Sequence, residues 1–192
     1  EPERSSRPFD LDRDGFVLAE GAAFFVLERN LDAGPGLGQI LGYATNSDAH
    51  HIVAPPERGE GAAACMRSAL VDAGIDVDDV GHVNAHGTST QRNDLAEARA
   101  IHDVFGPRAV PVTSSKGVLG HAIGAAGAIE ALVALESSRC ATIPPTANCK
   151  EVDPGIASVI DVVTEPRPVV SDVCLSNSFA FGGHNATLVV GR

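Results

Sequence analysis

An α/β fold, with one sheet covered by helices on both faces, is what this sequence predicts. Two observations carry the prediction. Segments of strand character alternate with segments of helical spacing, and the strand-like segments are apolar on both faces, as in a sheet buried between helices. A third supports it: polar, Gly-rich junctions fall where strands end, which is where α/β architectures bind ligands.

The elements follow in order. Arg7-Pro8-Phe9-Asp10 reads as an extended lead-in, since Pro8 disfavours helix before it. Gly15 to Glu28, rich in Phe, Val, Leu and Ala, reads as a buried strand or strand pair. A Gly/Pro turn at Ala33 to Gly38 leads to a strand at Gln39 to Ala44. Gly61 to Ala73 has helical spacing, with Gly74 as its C-terminal cap. His82 to Ala85 is a short strand, Asp94 to Val104 a helix and Val110 to Ser114 a strand. Ala122 to Ser137 is a third helix, and Pro144-Pro145 ends the connection after it. Strands at Ser158 to Val162, Val173 to Ser178 and Ala186 to Val190 close the chain. No repeat or linker interrupts this series, so residues 1–192 read as one domain.

Composition narrows the function. Fourteen basic against 25 acidic residues give a formal charge of −11, which argues against a nucleic-acid partner held through its phosphates. The four cysteines, Cys65, Cys140, Cys149 and Cys174, form no CxxC pair and no metal-ligand spacing with histidine; they read as reduced thiols of a cytoplasmic protein. No apolar run approaches the ~18 residues of a membrane helix, and no signal peptide is visible. The chain starts at Glu1 and its one methionine is Met66, so it is read as cut from something longer.

Three junctions carry the candidate chemistry. The first is Asn84-Ala85-His86-Gly87-Thr88-Ser89-Thr90, where His86 is placed to act on a carbonyl and Thr88 and Thr90 to bond a polar substrate arm. The second runs from Ser114-Ser115-Lys116 through Gly120-His121 to Gly127. His121 stands directly before a predicted helix, whose partial positive N-terminus disfavours imidazolium. A neutral imidazole there can donate an N–H to a developing oxyanion; the competing reading is a plain helix cap. Glu130, inside the Ala-rich helix, needs a partner if buried, and Lys116 is the candidate, though spacing alone does not show it. The third junction, Asn177 to Asn185, sets Phe179 and Phe181 around Ala180 before two glycines; alternation puts both rings on one face.

Taken together with Ser6-Arg7-Pro8-Phe9-Asp10, Asp12-Arg13-Asp14-Gly15-Phe16-Val17, Glu20-Gly21-Ala22 and Asp48-Ala49-His50-His51, these motifs resemble the β-ketoacyl-acyl-carrier-protein synthases, elongating type, of the thiolase-like superfamily. The resemblance implies the C-terminal half of a thiolase-like fold, a mixed five-stranded sheet with helices on both faces. It implies decarboxylative Claisen condensation of a malonyl group with an acyl-enzyme thioester, in fatty-acid or polyketide elongation. His86 and His121 match the histidines that stabilise the enolate, Lys116 the supporting lysine and Glu130 the glutamate of that network. Thr88 and Thr90 match the hydroxyls that bind the phosphopantetheine arm, and Phe181, beside Phe179, the gating phenylalanine. The implied partners are acyl carrier protein and an N-terminal half or partner subunit, in a dimeric complete enzyme; no separate cofactor is implied. In some relatives a monovalent cation sits beside the site, on residues matching Asn84, Glu130, Ser176 and Asn177.

Two positions depart from the pattern. Ala180 replaces a glycine, which is expected to stiffen or shift the gating loop. His184 stands where Thr is common. The larger departure is that no Ala-Cys-Ser motif is present: none of the four cysteines has the setting that lowers a thiol pKa, so the nucleophile is expected in an N-terminal half absent from this sequence. The readings from other classes are a non-catalytic subunit resembling a chain-length factor, and an inactive fragment.

Overall fold

The computed structural model describes residues 2–29 and 36–192. Its sheet is built on β1 (Gln39–Ser47), β2 (Val80–Asn84), β3 (Pro111–Thr113), β5 (Asp161–Val162), β7 (Val173–Ala180) and β8 (His184–Gly191), in the order β1-β8-β7-β2-β3-β5. A separate antiparallel pair joins β4 (Thr142–Ile143) to β6 (Arg167–Pro168). The sheet is mixed. β2 runs parallel to both β3 and β7, and β3 parallel to β5, whereas β7, β8 and β1 are antiparallel neighbours. Parallel neighbours need a crossover, and α2 (Gln91–Phe105) supplies it between β2 and β3.

Helices cover both faces, as the sequence predicts. Along β7, Leu175 joins the cluster formed with Met66, Ala69 and Leu70 of α1 (Glu60–Ala73) and Ala98 and Ile101 of α2. Its neighbour Cys174 points the other way, into a cluster with Ala134 and Leu135 of α4 (Ala126–Arg139). Val189 and Val190 of β8 divide in the same manner. α1 lies so close to β1 that a side chain on Gly42 would meet the Ala69 carbonyl and the Ala73 backbone nitrogen, both at 2.6 Å.

Five expectations change. The stretch Gly15 to Glu28 is extended but belongs to no strand; its one bridge joins Leu18 to His121. Phe24 and Val26 are 95% and 90% exposed. The apolar content of the run records a surface it is suited to pack on, and the described residues do not provide that surface. Arg7 to Asp10 is no extended lead-in. It turns inward, with Phe9 at φ +65° and fully buried. Ser158 to Val162 yields only the two-residue β5, because Asp153 caps a short helix, α5 (Pro154–Ala157), which anchors Ile156 and Ile160 in the core. The sheet has six strands where the resemblance implies five. The turn expected at Ala33 to Gly38 lies partly outside the described residues. The third helix starts later than expected, with a 3-10 turn at Ile123–Ala125 leading into α4.

Candidate active site

The C-terminal end of β2 delivers His86. After Ala85, whose N–H bonds the Thr113 carbonyl at 2.8 Å, the chain turns at Gly87, with φ +40°. A Cβ there would lie 2.5 Å from the Cβ of Ser114, so glycine is required on both counts. Ser89, two residues on, holds φ +68° without being glycine; its hydroxyl accepts the Arg7 N–H at 3.0 Å. Backbone held outside its preferred region is typical of functional turns.

His121 arrives from the other side, after α3 (Lys116–Leu119) and Gly120. Its backbone is pinned by the 15–19 stretch: its N–H donates to Val17 at 2.7 Å and its carbonyl accepts from Ala19 at 3.0 Å. Phe16 meets the imidazole edge-on, with centroids 5.6 Å apart. The Ile123 N–H donates to His121 Nδ1 at 3.2 Å, and Ile123 adopts φ +49° to do so, an outlier for a β-branched residue. The two imidazoles stand 5.3 Å apart, nearly perpendicular.

Lys116 and Glu130 lie behind His86. Lys116 is 1% exposed and pairs with Glu130 Oε1. The same ammonium donates to the His86 carbonyl at 2.5 Å and sits 3.4 Å from His86 Nδ1. Burial, then the charge of Lys116, then His121 hold the His86 pKa well below the usual imidazole range. Burial and then Lys116 lower His121 to about 4. Burial raises Glu130, and Lys116 opposes the rise. Both rings are thus neutral at physiological pH. An ammonium and an amide N–H can only donate, so Nδ1 is the acceptor in each ring and the ring proton rests on Nε2.

Both histidines line one cavity of about 960 Å³, together with Thr88, Thr90, Phe179 and Phe181. The Thr88 and Thr90 hydroxyls are 2.9 Å apart, and Thr90 also caps α2 through the Asn93 N–H. Phe179 packs edge-on against His86, with centroids 5.7 Å apart, while Phe181 stands 67% exposed beyond the strand end. Ala180 pairs with His184 inside the β7–β8 ladder and its φ is not positive, so its methyl imposes no strain there.

Among the described residues no three His, Cys, Asp or Glu side chains are grouped to hold a metal ion. A different set is conspicuous. Both side-chain polar atoms of Asn84, Ser176 Oγ and Glu130 Oε2 are buried without a partner, and Asn84 and Ser176 are register neighbours on β2 and β7. Buried polar atoms left without a protein partner call for a water or an ion. The Asn177 side chain is already committed to Met66, Glu97 and Thr187.

Sequence reasoning missed three residues. Arg13, 3% exposed, bonds Asp153, Asp10 and the carbonyls of Thr90 and Gln91, tying the N-terminal stretch to the hydroxyl turn. Asp94, fully buried, receives the Phe9 N–H at 2.9 Å. Glu97 lines the cavity and is 1% exposed; burial pushes its carboxyl up to about 7 against the pull of hydrogen bonds from Gly87, His86 and Asn177. The acidic pair Asp94 and Glu97, three residues apart on the helix that follows His86, does not by itself mark a buried site. The cysteines offer no nucleophile to the cavity. Cys65, Cys149 and Cys174 are buried, with burial raising their thiols (Cys149 to about 12, Cys174 to about 11), and Cys140 is exposed beyond α4.

Residues 37–150 match the family profile described as β-ketoacyl synthase, C-terminal domain. The chain is 44% identical to the 3-oxoacyl-[acyl-carrier-protein] synthase 2 of Coxiella burnetii; the match covers 100% of this chain and 48% of that protein. The chain therefore spans about half the length of the curated relatives it matches. The structure superposes on the ishigamide ketosynthase/chain length factor with a TM-score of 0.92 and 38% identity, over 97% of this chain and 47% of the other. It superposes on the structure of a type II PKS acyl-carrier protein in complex with its ketosynthase bound to the hexaketide with a TM-score of 0.93 and 31% identity, over 99% and 48%. With more than half of its residues matching that profile, this chain belongs to the β-ketoacyl synthase family and contains its C-terminal domain.

Proposed function

We propose that this chain supplies the decarboxylating side of a 3-oxoacyl-[acyl-carrier-protein] synthase. The observation that carries the reading is the matched pair of neutral imidazoles, each with Nδ1 occupied by a donor, on one cavity wall. A malonyl thioester in that cavity loses carbon dioxide as its C–C bond breaks, and the electron pair moves onto the thioester oxygen as an enolate. Two Nε2–H donors stabilise that charge, and neutrality matters because each ring then donates without giving up its proton. The enolate carbon attacks an acyl thioester; a C–C bond forms, and the thiolate leaves as its C–S bond breaks. Thr88 and Thr90 hold the polar pantetheine arm of the carrier protein's thioester, and Phe179 and Phe181 wall the cavity. Asn84, Ser176 and Glu130 would hold a monovalent cation, which when bound balances the second carboxylate oxygen of Glu130.

The acyl thioester forms on a cysteine outside this chain, in the part of the full-length protein corresponding to the remaining half of the relatives. Carrier protein and that remaining half, or a partner subunit, are the partners this reading requires. A subunit that only shapes a pocket, as in a chain-length factor, has no chemical use for two histidines with fixed proton positions.

The test uses the full-length protein. His86→Ala and His121→Ala are each expected to slow malonyl decarboxylation about a hundredfold or more, the usual effect of removing one oxyanion donor, with acyl transfer to the cysteine preserved. Equal loss of both steps sinks the assignment.

A further inference from the structure

Glu97 is used by none of the roles above, yet it lies in the cavity wall. Its carboxylate grips two consecutive peptide groups: Oε1 accepts the His86 N–H at 2.8 Å and Oε2 the Gly87 N–H at 2.8 Å. Asn177 Nδ2 adds a third donor to Oε1 at 3.2 Å. Among the described residues no Lys or Arg pairs with Glu97, so these three donors are what oppose the loss of its charge on burial.

The rest of the turn shows the same habit. The His86 carbonyl accepts from Lys116, and the Gly87 carbonyl accepts from Ser114 Oγ at 2.8 Å. All four main-chain polar groups of His86 and Gly87 are thus bonded to side chains. A turn held this way has no ladder to align it, and its orientation depends on those side chains. Of the three, Glu97 supplies half the bonds and does so from a rigid helix, α2.

We propose that Glu97 is a positioning residue for the enolate donor: its carboxylate fixes the His86 peptide, and through it the direction in which Nε2–H points. The inference rests on the reading of His86 given above. Misplacing a catalytic group by about 1 Å costs about a hundredfold in rate. A glutamine keeps the shape of Glu97 but offers one acceptor oxygen and one NH₂ group to two donors, so one peptide N–H loses its partner.

The experiment compares full-length wild type, Glu97→Gln, Glu97→Asp and His86→Ala. It measures kcat and KM for malonyl-thioester decarboxylation, the rate of acyl transfer, thermal unfolding, and the amide proton shift of His86 in ¹⁵N-histidine-labelled protein. Glu97→Gln is expected to lower the decarboxylation kcat by about ten- to a hundredfold. KM should stay within about threefold, acyl transfer should be retained, and the His86 amide should move upfield as its charged acceptor is lost. Glu97→Asp keeps the charge and is expected to fall between. Decarboxylation at the wild-type rate in Glu97→Gln overturns the inference, as does a parallel loss of both steps matching the unfolded fraction. A wild-type protein that transfers acyl groups but does not decarboxylate overturns the functional reading first, and the role of Glu97 with it.

Discussion

Lys116 keeps an ammonium group almost wholly out of water, next to one carboxylate oxygen and one carbonyl. Removing one partner of a buried ion pair strands the other charge and typically costs about 3–5 kcal/mol, whereas replacing both is far milder. Lys116→Met is therefore expected to lower unfolding free energy by about that amount, and Lys116→Met with Glu130→Gln to recover most of it. Chemical denaturation of the four combinations measures the coupling; additive losses would show that the two charges do not depend on each other. The sequence offered this pair as a candidate because a glutamate in an Ala-rich helix needs a partner. It did not offer Glu97. A carboxylate on an amphipathic helix is ordinarily solvated, and nothing in its spacing tells that the preceding turn folds two N–H groups onto it. Arg13 was hidden for a similar reason: three of its four hydrogen bonds go to main-chain carbonyls, which every residue has.

The strands and helices that enclose the core were legible because each carries its own period and punctuation. α1 shows this, running from Glu60 to Ala73 and closing on Gly74 in the left-handed conformation. What periodicity does not reveal is closeness. Gly42 sits mid-strand, where glycine is usually a weakness, and its reason is the backbone of α1 pressed against it. Gly42→Ala is expected to destabilise the fold by about 1–3 kcal/mol, since the groups in the way are main-chain atoms that cannot rotate aside. A melting temperature unchanged within error would mean that α1 can slide off β1. Gly15 to Glu28 was misread for the opposite reason: its pattern is that of a packed strand, and its packing surface is not among the described residues.

On the scale of the whole molecule, the overall charge is −11, and the 15–29 stretch exposes several large apolar side chains. No helix among the described residues is long and apolar enough to cross a membrane. Stability should respond to alkali through Cys149, whose thiol burial lifts from 9.0 to about 12. A folded-state pKa above the unfolded value means that the contribution is complete below pH 9 and is lost as pH rises towards 12. Cys149→Ala, which has no such proton to lose, is expected to soften this decline by about 2 kcal/mol at roughly pH 10.5. Denaturation curves at pH 8 and near 10.5 measure it, and parallel declines in both proteins would exclude the thiol as the cause.

The locks on the two imidazoles bear on how labour is divided in any larger assembly. Each is a contact inside this chain, Lys116 for His86 and Ile123 for His121. The tautomers are consequently decided when this chain folds, before anything closes the far side of the cavity. Under the proposed function, whatever completes the enclosure contributes shape and an electrophile, and inherits the placement of both protons ready-made.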